Sequence, residues 1–141
     1  MNRLVLCFTL AFAACGCGSS QEAELRQGGA QIPSWDGLNA ITSQELTQPI
    51  IMGAGMGDFA GVKAAATNPK FQEALDKFEK ESIPGKFSTP EREAAKKDAV
   101  KHYKALIEGA KGSATDEELK ASVDAANKAI NSITAPTPAK T

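Results

Sequence analysis

The chain has 141 residues, with 16 Lys and Arg against 17 Asp and Glu and a formal net charge of -1. That length suits one small domain, and so even a charge balance supplies no basic footprint for nucleic acid or for an anionic surface. The single histidine, His102, excludes a metal site built on several histidines, and no Ser-His triad can be assembled around it.

Arg3 supplies a positive start, and Leu4 to Ala14 form an apolar run. The run has the length of a signal-peptide core and is too short to cross a bilayer of about 30 Å as a permanent helix. Residues 1–14 are therefore expected to be a secretion signal. The run closes on Phe12-Ala13-Ala14-Cys15, small residues before a cysteine, and this segment resembles the lipobox of bacterial lipoproteins. Phe12 stands where that family usually has an aliphatic residue; Ala13, Ala14 and Cys15 fit its pattern. The resemblance covers roughly the first 20 residues. It implies cleavage between Ala14 and Cys15, diacylglycerol on the Cys15 thiol and an acyl chain such as palmitate on its amino group. It also implies a membrane partner and a place in the cell envelope. Each buried methylene contributes about 0.8 kcal/mol, so two or more chains hold a protein stably where one does not. A second processing route stays open, because Ala11-Phe12-Ala13 also fits the pattern of ordinary signal peptidase. That route would release a soluble secreted or periplasmic chain starting at Ala14.

Cys7, Cys15 and Cys17 all fall in this opening segment. No disulfide is left to staple the domain after it, although export would permit one. Residues 15–34 are expected to be a lipidated N-terminus and flexible tether, since GCGSSQEAELRQGGAQIP is rich in Gly, Ser and Gln. A helical domain is expected over residues 35–134, with Trp35 covering one end of it and residues 135–141 forming a disordered tail.

Thr42-Ser43-Gln44-Glu45 has capping-box spacing and predicts a short helix that ends near Pro49. Asn68-Pro69 predicts the next strong helix start. Phe71, Ala74, Leu75 and Phe78 then share one face, Glu73 with Lys77 and Asp76 with Lys80 pair outside, and Ile83-Pro84-Gly85 ends it. Thr89-Pro90-Glu91 opens another helix with a buried stripe of Ala99, Val100, Tyr103, Leu106, Ile107 and Ala110, closed by Gly112 in preference to Gly109. Thr115 and Glu118 form a capping box for a last helix through Leu119, Val123, Ala126, Ile130 and Ile133, stopped before Pro136. No run alternates like a strand and the connections are short. The expected fold is all-α, an up-and-down bundle of three to four helices.

One segment invites functional readings. Gly55, Gly57 and Ala60 match a dinucleotide fingerprint by letter, but the residues after Ala60 read as helix and not as the βαβ unit that the motif requires. Gly53, Gly57 and Gly61 with Ala65 lie four apart and would make a small-residue stripe on one helix, resembling the glycine zippers of some envelope proteins. The favoured reading is a flexible glycine turn that includes Gly55 and leads into a helix from about Asp58 to Thr67. Lys97, Lys101 and Lys104 share a helix side with Glu93, Asp98 and Glu108 interleaved, which reads as a solvated, salt-bridged face. Asp116, Glu117 and Glu118 read as first-turn residues that favour the helix dipole.

No catalytic constellation, metal site or cofactor is expected. The favoured function is a non-enzymatic envelope lipoprotein, held on a membrane by lipid on Cys15 and presenting a surface to another envelope protein or a wall polymer. The alternative is a secreted or periplasmic carrier of an apolar ligand, with Trp35 and the Gly53 to Gly61 loop closing over a cavity between helices.

Overall fold

Three helices with strong start signals form the frame. Asn68 accepts a hydrogen bond from the Lys70 N–H at 2.9 Å and starts α4, Pro69–Lys80, with Pro69 in the first turn where its missing N–H costs nothing. Thr89 accepts from the Arg92 N–H and starts α5, Pro90–Lys111. The Thr115 hydroxyl and Glu118 carboxylate cap each other's backbone at the start of α6, Asp116–Thr134. At the far end of α5, the Gly112 N–H donates to Glu108 O at 2.9 Å.

The computed structural model describes residues 26–27 and 30–136. The expected signal peptide, Ala14, Cys15, the first part of the tether and the end of the tail lie outside the described residues. Among the described residues the fold is all-α, with six helices where three to four were expected. A small antiparallel ladder of β1, Arg26–Gln27, and β2, Ala30–Gln31, lies within the segment expected to be tether.

The additional helices lie before α4. The first, α1, spans Asp36–Ile41 and has no side-chain cap. Its end uses Thr42, whose hydroxyl donates to Leu38 O at 2.8 Å. The expected capping box at Thr42 is therefore absent: Thr42 closes α1, and Ser43 precedes α2, Gln44–Met56, without a side-chain hydrogen bond. This helix also runs through Pro49 instead of ending there. The proline removes the N–H that would bond Glu45 O, but both residues are exposed, so water can satisfy that carbonyl. The expected helix near Asp58 is α3, Phe59–Ala66, capped by the Asp58 carboxylate on the Gly61 N–H at 2.9 Å.

Packing follows chain order only in part. The helices α5 and α6 lie along each other, α2 lies on α3, and α1 lies on α4 instead of on its chain neighbour α2. Gly37 makes that last approach possible. A Cβ there would come within 3.0 Å of the Phe78 Cα and 2.8 Å of the Glu81 carboxylate, whose oxygen accepts from the Gly37 N–H at 2.6 Å. One core joins all six helices, with Phe71, Phe78, Ile41, Val62, Leu106 and Ile133 fully buried. The predicted faces of α4 and α6 are buried as expected; on α5 only Ala110 is half-exposed.

Tyr103 lies in this core, edge-on to Phe71 with ring centroids 5.3 Å apart. Burial pushes its hydroxyl from 10.0 up to about 12. The folded chain therefore holds that proton more tightly than the unfolded chain does. Stability from this group is complete below about pH 10 and falls by roughly 1.4 kcal/mol per pH unit until the pH passes the folded value. Urea titrations across that range should show the loss in the native chain and its absence in Tyr103→Phe.

Candidate functional site

The glycine segment builds a corner between two helices. Gly53 and Gly55 lie within α2, and Gly57 ends it in the left-handed region at φ 78°, which favours glycine. The Asp58 N–H donates to Gly53 O at 2.8 Å, and the chain turns directly into α3. Gly53, Gly57 and Gly61 therefore do not share a helix face, because the break at Gly57 separates the first from the last. Gly55 is exposed with open space around it.

Gly53 is where the two helices approach most closely. A Cβ there would meet Val62 Cγ2 at 2.9 Å and the Asp58 carbonyl at 3.1 Å. One neighbour is a stiff branched side chain and the other is backbone, so neither yields easily. Gly53→Ala is therefore expected to destabilise the domain by about 1–2 kcal/mol despite alanine's better helix propensity. Gly55→Ala, which meets nothing, is expected to stabilise it by about 0.5–1 kcal/mol. Paired thermal melts of the two variants check both signs.

The corner presents an apolar surface. Ile50, Gly53 and Ala54 face the core, while Gln48, Ile51, Met52, Gly55 and Met56 lie on the outer face of α2. Ile51 is 40% exposed, Met52 50% and Met56 79%. Gln48 Nε2 lies 3.3 Å from Met52 Sδ and is the polar flank of the patch. From Leu46 to Gly57 the sequence holds no charged residue. Periodicity hid this surface, because Ile50, Ile51, Met52, Ala54 and Met56 place apolar groups all around the helix, so the outer face carries no polar signature of its own.

The lysine side of α5 is a charged surface. Lys104 pairs with Glu79 at 2.7 Å, and Lys96 Nζ donates to the carbonyls of Glu79 and Glu81 at 3.0 and 2.6 Å. Glu79, Lys96 and Lys104 with Glu93, Lys97, Val100 and Lys101 line an open groove of about 440 Å³. Lys77 reaches Asp36 at 3.6 Å and Glu81 at 3.9 Å. Trp35 is not at this groove; it is buried and stacked on Phe78 at 6.3 Å. His102 is half-buried on α5, and Asp116, Glu117 and Glu118 occupy the first turn of α6.

Among the described residues, no group of three His, Cys, Asp or Glu side chains is placed to hold a metal ion, and no helix is long and apolar enough to cross a membrane. Comparison of this chain with protein-family models, with curated proteins and with solved structures finds no match.

Proposed function

We propose that the chain is an exported envelope lipoprotein, attached to a membrane through acyl chains on Cys15, whose helical domain is a non-enzymatic interaction module. The observation that carries the reading is the run from Leu4 to Ala14 ending in Ala13-Ala14-Cys15 behind a positive Arg3. The domain adds support of a different kind. Several of its charged side chains serve structure: they cap helix starts at Asp58 and Glu118, bridge α4 to α5 at Lys96 and Lys104, and hold α1 on α4 through Glu81. The outer face of α2, with Ile51, Met52 and Met56 exposed, supports an interaction role. The partner in this reading is another envelope protein or a wall polymer.

Cell fractionation tests the address. The native chain should sediment with membranes and resist alkaline extraction, whereas Cys15→Ser should lose that attachment because no acyl group can be added. A native chain recovered entirely in the soluble exported fraction would contradict the proposal.

A further inference from the structure

We propose that the outer face of α2, formed by Ile51, Met52 and Met56, rests on the lipid bilayer and sets the orientation of the domain on the membrane. This rests on the lipid attachment at Cys15 proposed above.

Attachment alone does not orient the domain. Residues 16–34 separate Cys15 from Trp35; with residues 26–31 folded back in the β1–β2 ladder, they can span at most about 50 Å, while a domain of this size has a radius of gyration of about 13 Å. Any face of the domain can therefore reach the bilayer, and surface chemistry selects among them. The outer face of α2 combines exposed large apolar side chains with a run free of charge from Leu46 to Gly57. Seating the stretch from Gln48 to Gly57 requires no ionised group to leave water, and Glu45, exposed in the first turn of α2, stays at the rim. Asp58, at the edge, already accepts the Gly61 N–H at the start of α3. The exposed sides of α4 and α5 carry Lys and Glu side by side, and insertion there would strip charges of water at high cost.

Area separates a bilayer from a second copy of the chain. The helix α2 has 13 residues, so one face is about 20 Å by 10 Å, roughly 200 Å² in projection. A stable interface between proteins needs about 800 Å² per partner. A bilayer contact needs far less, because the acyl anchor already holds the domain at high effective concentration beside the surface. Shallow seating of an apolar helix face, about 5–10 Å into the headgroup region, is then sufficient. Gly57 and Gly53 fix the corner that holds Met56 outermost.

The test uses the full-length acylated chain in a Cys17→Ser background, with Met56→Cys labelled by a small fluorophore. The chain is reconstituted on vesicles of phosphatidylethanolamine and phosphatidylglycerol. The label at position 56 should be quenched by nitroxide-bearing lipids and lose quenching by aqueous iodide, and a label at Lys101→Cys should behave in the opposite way. Adding Ile51→Glu and Met52→Glu should return the position-56 label to iodide while the chain stays on the vesicles. Equal iodide quenching at positions 56 and 101 on vesicle-bound chain would overturn the inference and leave the anchor standing. Shielding from both quenchers, with cross-linked pairs of chains, would assign the face to a second copy and also overturn it. A purified chain without acyl mass would overturn the inference and the anchor together.

Discussion

Phe78→Ala is expected to cost about 3–5 kcal/mol, a large share of the roughly 5–15 kcal/mol that holds a domain of this size together. The ring is fully buried, stacks on Trp35 with planes 16° apart, and lies beneath the Lys96 ammonium, 5.6 Å from the ring centroid. It is also the point where α1 lies on α4, since Gly37 packs against the Phe78 backbone. Removing the ring therefore empties the core and loosens the docking of α1. Urea unfolding should show a lower midpoint, and the emission of Trp35, the single tryptophan, should shift to the red as water reaches it. Phe78→Leu, which keeps most of the volume, should lose much less. A loss below about 1 kcal/mol in the alanine variant would mean that the site collapses without a cavity.

Arg92→Met is expected to cost about 3 kcal/mol, although it keeps a long side chain in a buried position. Arg92 is 7% exposed. Its guanidinium donates to Phe87 O at 3.1 Å and Ala135 O at 2.6 Å, tying the loop before α5 to the end of α6. Methionine replaces the packing but leaves the buried Phe87 carbonyl without this donor. Hydrogen exchange supplies the specific signature: amides in the last turn of α6 should exchange faster than those around Leu119. Uniform acceleration would mean that the arginine contributes only to global stability. Lys in its place should rescue only in part, because one ammonium does not reproduce the fork that spans both carbonyls.

How legible each helix is in the sequence depends on how it is stabilised. The helices α4, α5 and α6 declare themselves through Asn68-Pro69, Thr89-Pro90 and Thr115 with Glu118, and their polar outer faces make the buried stripes easy to read. The helix α1 carries no cap bond and has only six residues; it exists because Gly37 lets it dock on α4, a long-range contact that local pattern does not encode. Thr42 misleads for a related reason, since the residues that resemble a box opening one helix include the one that closes another. Pro49 normally ends a helix, and only its exposure on the outer side of α2 explains why it does not here. The glycines obey the same logic. Gly57 is the turn that the pattern suggests, while Gly53 lies within α2 and is glycine because Val62 and Asp58 leave no room for a Cβ. The surface at Ile51, Met52 and Met56 could be seen only once the inner face of α2 was known.

Mass spectrometry of the purified mature N-terminus decides whether Cys15 is the acylated first residue of the mature chain, as proposed. The expected result is a chain beginning at Cys15 with diacylglycerol and N-acyl mass, and no such mass in Cys15→Ser. An unmodified chain beginning at Ala14 would contradict it.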